Sequence, residues 1–248
     1  MRQLRAAWRL LRVLLHVLHG VAIVLLMFRW LDLAGRRRRV QWWAARMLRV
    51  AGATLQGQGT PRPGGTLLVI NHISWLDIVA IHALCPQARF VSKADVKRWP
   101  VLNRLVDAAD TLYLERERRR DAMRVVHHMG EALAAGDTVA VFPEGTTGLG
   151  HELLPFHANL LQAAIATGTP VQPVALRFSD DHDEVSRAVA YVGDTTLIQS
   201  LWWVACADGL RAKVSFLSPI GSEHADRRAL AERLRGEIAA ALPPADAA

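Results

Sequence analysis

His72 and Asp77 stand five residues apart in Asn71-His72-Ile73-Ser74-Trp75-Leu76-Asp77, directly after the apolar run TLLVI. An imidazole leaving the end of a buried strand is held at the carboxyl edge of a sheet, where α/β sites form. Ser74 is placed to cap a helix beginning at Trp75. Asp77 then falls in the first turn and can fold back toward His72. A carboxylate on one ring nitrogen fixes the tautomer and stabilises the imidazolium. The other nitrogen can take a proton from an attacking hydroxyl. Such a pair needs no Ser, Cys or Lys nucleophile. Taken alone, the spacing is more often that of a capping Asp beside a backbone-bonded His.

Three other segments give the pair company. Val141-Phe142-Pro143-Glu144-Gly145-Thr146-Thr147 again ends an apolar run. Gly145 permits a tight turn, and the amides and the Thr146 and Thr147 hydroxyls beyond it could hold a phosphate or another polar headgroup. Glu144 could accept bonds from substrate hydroxyls or hold an Arg. In Thr111-Leu-Tyr-Leu-Glu115-Arg116, Arg116 follows a strand directly and could clamp a phosphate, whereas Arg118–Arg120 read as the solvated opening of a helix. In Thr169-Pro170-Val171-Gln172-Pro173-Val174 two prolines interrupt the donors of an apolar strand, which predicts either an edge strand or a shaped wall for an acyl chain.

In this order the four segments resemble the blocks of the lysophospholipid acyltransferase family, the PlsC-like glycerolipid acyltransferases. NHISWLD matches the NHxxxxD block and FPEGTT the FPEG block; TLYLER and VQPVAL resemble the other two. The resemblance covers about residues 55–220. It implies acyl transfer from a thioester of coenzyme A or acyl carrier protein to the free hydroxyl of a lysophospholipid, with 1-acylglycerol 3-phosphate the expected acceptor and phosphatidic acid the product. By position it makes His72 the base and Asp77 its orienter, gives Arg116, Glu144 and Gly145 to acceptor binding, and puts Pro173 in the acyl-site wall. One departure concerns the acceptor: the third block often carries Arg where this chain has Thr146 or Thr147. FPEGTT followed by LLPFHANLLQAA also resembles the branch that acylates lyso-ornithine lipid, so that acceptor stays open. A membrane lipid-binding protein that keeps the fold without turnover is a further alternative.

The elements that must position these residues follow from periodicity. Expected strands are Thr66–Ile70, Arg89–Ser92, Thr111–Leu114, Thr138–Phe142, Val171–Phe178, Ala188–Val192 and Lys213–Ser218. Expected helices are Trp75–Leu84, Lys97–Ala109, Arg119–Ala135, Ala158–Thr167, Thr196–Ala207 and Ala225–Leu242. Alternating strand and helix predicts an α/β catalytic domain over residues 53–248, with a largely parallel or mixed sheet covered by helices.

Residues 1–52 form a separate expectation, a membrane-anchoring helical segment. Residues 1–50 hold eleven of the 30 Lys and Arg and one acid, Asp32; the rest of the chain is net acidic. Arginines beside an apolar run meet anionic headgroups more readily than nucleic acid, so no nucleic-acid partner is expected. The uncharged run Val13–Phe28 is about 24 Å long as a helix, short of the roughly 30 Å hydrocarbon core. It fits a short span with snorkelling arginines, a helix sunk into one leaflet, or a core helix. Residues 40–51 fit either an interfacial helix or one packed on the body. The whole is expected at a bacterial inner membrane with the catalytic domain on the cytoplasmic side.

Cys85 and Cys206 form no CxxC and have no ligand-spaced partner, so no metal and no cofactor beyond the thioester co-substrate is expected. The chain carries no P-loop, GxSxG, HExxH or dinucleotide fingerprint, which leaves the common rival enzyme classes without support.

Overall fold

The computed structural model describes residues 1–93, 102–114 and 119–242. Seven strands form one sheet: β1 (Thr54–Gln58), β2 (Thr66–Ile70), β3 (Arg89–Lys93), β4 (Leu112–Leu114), β5 (Thr138–Val141), β6 (Val171–Ser179) and β7 (Arg211–Phe216), in the spatial order β1-β7-β6-β2-β5-β3-β4. All neighbouring pairs are parallel except β6 with β7. The sheet is therefore mixed and largely parallel, and the family of elements is α/β as the periodicity requires.

Helices cover both faces. The TLLVI run of β2 is buried at every position, because a central parallel strand has no wet face. Its alternate residues serve different cores. Leu68 and Ile70 pack with the side that holds α2 (Leu33–Ala51), α3 (Leu76–Leu84) and α7 (Leu197–Cys206). Leu67 and Val69 pack with the side that holds α5 (Arg119–Ala134), α6 (Gln162–Thr167) and α8 (Arg227–Ala241). A short helix, α4 (Leu102–Ala108), precedes β4.

The N-terminal helix α1 runs from Arg2 to Met27, well beyond the uncharged stretch. Its buried residues Ala6, Val13, His16, Gly20 and Ile23 are spaced by seven, three, four and three positions, which puts them on one face of a helix lying along a surface. That stripe packs on α2, α4 and α7. His16 and Gly20, which weaken the apolar run as a membrane span, are contact residues: His16 Nε2 pairs with the Trp43 carbonyl at 3.0 Å, and the Trp43 indole N–H donates back to the His16 carbonyl at 3.1 Å. A Cβ on Gly20 would lie 2.3 Å from the Trp43 ring nitrogen. The opposite face, including Leu4, Trp8, Leu11, Leu15 and Leu18, is exposed. Helix α2 packs on α3 through Ala44, Met47, Leu48 and Ala51, so residues 40–51 belong to the body.

Four expectations are corrected. Ala188–Val192 is not a strand. Val189 and Ala190 are buried, but the segment makes single contacts with loops rather than a ladder, and a short buried apolar run does not distinguish the two. β1 went unread because its TLQGQ is polar and mostly exposed at the sheet edge. β6 is no edge strand: it lies between β7 and β2. Pro173 is tolerated there because β7 ends at Phe216; beyond it the partner chain bonds irregularly, through Leu217 N–H to the Pro173 carbonyl at 3.0 Å and the Val171–Ile220 bridge. Finally, Ser74 does not cap α3. Its hydroxyl has no partner among the described residues, and α3 has no side-chain cap; the carboxylate of Asp77 instead accepts the Ile73 and Ser74 amides just before the helix.

Candidate active site

β2 and β5 are adjacent and parallel, with Val69 opposite Val141. Their carboxyl ends therefore deliver the Asn71–Asp77 loop and the Phe142–Gly148 loop side by side. Asn71 holds the first in place from below. Its side chain continues the ladder where β2 has ended, donating Nδ2 to the Leu176 carbonyl at 2.8 Å and accepting the Leu176 N–H at 2.7 Å.

The His72 Nδ1 and Asp77 Oδ2 atoms are 2.7 Å apart. The same oxygen accepts the N–H groups of Ile73 at 2.7 Å and Ser74 at 2.9 Å. Three donors thus fix one carboxylate oxygen at the start of α3, on a side chain with no exposed surface. Asp77 Oδ1 is buried without a partner among the described residues. With Nδ1–H donating to Asp77, the Nε2 lone pair is the ring's free base. No described residue bonds Nε2, and the His72 side chain keeps 19% of its surface exposed.

The second loop clamps His72 at both ends of its backbone. Glu144 Oε1 accepts the His72 N–H at 2.7 Å, and the Gly148 N–H donates to the His72 carbonyl at 2.8 Å. Glu144 Oε2 accepts the Leu154 N–H at 2.9 Å. Burial pushes the Glu144 carboxyl above the usual carboxylate value, against the pull of these two amide bonds. The ring of Phe142 lies flat on the imidazole, with centroids 3.9 Å apart and planes 10° apart, and Phe142 is backed in turn by Phe90 at 5.4 Å. Gly145 has φ of 71°, the left-handed conformation a tight turn demands here, and its N–H donates to the Phe142 carbonyl at 3.1 Å.

The remaining residues are distributed differently. The Thr147 hydroxyl donates to the Tyr191 carbonyl, while Tyr191 N–H donates to the Ile73 carbonyl at 3.2 Å, so the segment expected as a strand is instead a third wall of the site. Thr146 is exposed. Pro173 pairs in register with Val69, three residues short of His72, which is about 10 Å along the strand; the backbone does not bring it to the pair. Arg116 lies outside the described residues. The described strand β4 ends at Leu114 and is the far edge of the sheet, three strands from β2 or about 14 Å. Among the described residues no group of three His, Cys, Asp or Glu is placed to hold a metal ion. Phe142 and Gly148 were within or beside a quoted motif, but stacking and backbone donation have no sequence signature.

Comparisons with known proteins agree on the kind of chain this is. A family model described as Acyltransferase matches residues 53–177. A 1-acyl-sn-glycerol-3-phosphate acyltransferase from Neisseria gonorrhoeae is 37% identical over 181 residues, covering 73% of this chain and 70% of that protein. A lyso-ornithine lipid O-acyltransferase from Pseudomonas aeruginosa is 33% identical over 207 residues, covering 84% and 79%. The crystal structure of the 1-acyl-sn-glycerophosphate acyltransferase PlsC from Thermotoga maritima shares the fold, with a TM-score of 0.65 at 21% identity over 94% of each chain.

Proposed function

The chain belongs to the acyltransferase family, as an O-acyltransferase of the 1-acylglycerol-3-phosphate acyltransferase type, and from that premise we propose that it moves a fatty acyl chain from a thioester of coenzyme A or acyl carrier protein to 1-acylglycerol 3-phosphate, giving phosphatidic acid. One observation carries the reading: an imidazole held by a buried carboxylate on Nδ1, with Nε2 unbonded by any described residue.

In the proposed reaction, Nε2 of His72 takes the proton of the acceptor hydroxyl as its oxygen attacks the thioester carbonyl. Asp77 stabilises the imidazolium. The tetrahedral oxyanion is met by backbone amides of the facing loops. Its collapse breaks the C–S bond, the thiolate takes the proton from His72, and the ester leaves. No covalent enzyme intermediate forms. Arg116, Gly145, Thr146 and Thr147 are assigned to the acceptor and Pro173 to the acyl wall. Glu144, whose two oxygens accept backbone amides, acts on the acceptor through the shape of its loop.

A second acceptor, lyso-ornithine lipid, is favoured by one observation: the positions after Gly145 are neutral threonines, one exposed and one bonded to a backbone carbonyl. Neither supplies a cation for a terminal phosphate.

The catalytic body sits on the cytoplasmic side of the bacterial inner membrane. α1 is about 39 Å long but packs along the body over most of its length, which supports a helix lying in one leaflet rather than crossing it. Membranes given labelled acyl thioester and each acceptor in turn test the whole reading. Wild type labels one acceptor and His72→Ala none, with the rate down at least about 100-fold. His72→Ala turning over at the wild-type rate would sink it.

A further inference from the structure

Outside α1, α2 and their connection, few large apolar residues are exposed among the described residues, and three of them lie on one short helix. α7 reads LIQSLWWVAC and carries no charged residue. Ile198 is 80% exposed, and Trp202 and Trp203 show about two fifths of their surface. Ser200, Val204 and Ala205 form the buried side. Single exposed apolar residues are ordinary, but three on one uncharged helix form a patch that asks for a partner.

The place of α7 in the fold says which partner. Its C-terminal end is fastened to the first turns of α1. Arg9 Nη1 donates to the carbonyls of Ala205 at 3.0 Å and Ala207 at 2.7 Å, Arg2 Nε donates to the Cys206 carbonyl at 3.2 Å, and Arg5 pairs with Asp208. These arginines are therefore held at a helix terminus, where cations are favoured. Beside the junction, Leu4, Trp8 and Leu11 of α1 are exposed too.

We propose that the exposed face of α7, Ile198 with Trp202 and Trp203, is a second membrane-contact surface that seats in the interfacial layer of the same bilayer as α1. The proposal rests on the reading of α1 as lying in one leaflet. Tryptophan suits that layer, where an apolar ring and a polar N–H are both accommodated. A protein partner of either charge finds no ion pair on this helix. The seat is also coupled to the chemistry. The Trp75 indole N–H donates to Ser200 Oγ at 3.0 Å, and Trp75 lies within the His72–Asp77 loop. The helix that would rest on the bilayer is thus tied from its buried side to the His72–Asp77 loop by this hydrogen bond.

The full chain is mixed with vesicles of phosphatidylethanolamine and phosphatidylglycerol. Ile198→Asp with Trp202→Ser is expected to weaken partition about tenfold while turnover in detergent micelles stays near wild type. In a second arm, Trp202→Phe with Trp203→Phe is expected to remove much of the tryptophan emission that brominated phospholipid quenches; this variant keeps the apolar helix. Leu15→Glu with Leu18→Glu in α1 is the reference. If the α1 variant loses partition and both α7 variants behave as wild type, α7 is not a membrane contact and the reading of α1 stands. If neither helix matters to partition, both fall. If the α7 variants bind vesicles normally but lose turnover with acyl carrier protein thioester alone, the face is a protein-docking surface and the proposal is overturned.

Discussion

The carboxylate of Glu144 accepts the backbone N–H of His72 at 2.7 Å. A residue in the second loop therefore sets the position of His72 in the first, through its peptide rather than its ring. Because burial raises the Glu144 carboxyl, the folded chain releases its proton at a higher pH than the unfolded chain does. This contribution is fully present below about 4.5 and is lost as the pH rises through the raised folded value. Glu144→Gln should flatten that slope, seen in urea unfolding at several pH values. It should also cost about 1–3 kcal/mol, since an amide cannot accept from both His72 and Leu154 with both its polar atoms.

His82 gives the opposite sign. Burial holds its imidazole down at about 4, and its Nδ1 has no partner among the described residues. The unfolded chain takes up a proton as the pH falls through about 6.5, while the folded chain does not. Stability is therefore present above that value and lost below it, by about 3 kcal/mol by pH 4. His82→Leu should remove this loss on the acid side, measured by the same unfolding series.

Phe142→Leu should lower kcat several-fold more than it raises KM for the acceptor. The ring carries no proton in the reaction, but it fixes the imidazole plane at 3.9 Å. The stability cost should be about 1–2 kcal/mol, the usual effect of trimming a half-buried aromatic. Steady-state kinetics and thermal unfolding on the same preparation separate the two effects.

Asn71→Ala should cost about 2–4 kcal/mol, because it orphans both the N–H and the carbonyl of Leu176, itself fully buried. Asn71→Asp restores one acceptor and loses one donor, so it should fall between wild type and Ala. Denaturant midpoints at neutral pH order the three.

Much of this arrangement is legible in the sequence. The TLLVI and TVAV runs announce central strands because parallel strands buried on both faces tolerate nothing else. The His72–Asp77 spacing and Gly145 are legible for the same reason: they are local, and helix and turn geometry carry them. Glu144 is visible as a residue, yet its partners are backbone amides, of Leu154 and of the distant His72, which no side-chain pattern marks. Pro173 misleads, because a proline in a strand is read as an edge unless one knows that β7 ends beside it.

What the sequence by itself determined is the α/β alternation, the His72–Asp77 spacing and the apolar, arginine-flanked start of the chain. These depend on residue type and short spacing. Only the tertiary structure decided that Glu144 and Gly148 grip the two ends of His72, that Phe142 covers its ring, and that α1 lies along the body beside α7. Those relations join positions tens to hundreds of residues apart. They exist because β2 and β5 are neighbours in the sheet and because the α1 stripe of Ala6, Val13, His16, Gly20 and Ile23 finds its partners there. Packing chooses such neighbours, and a one-dimensional pattern does not record the choice.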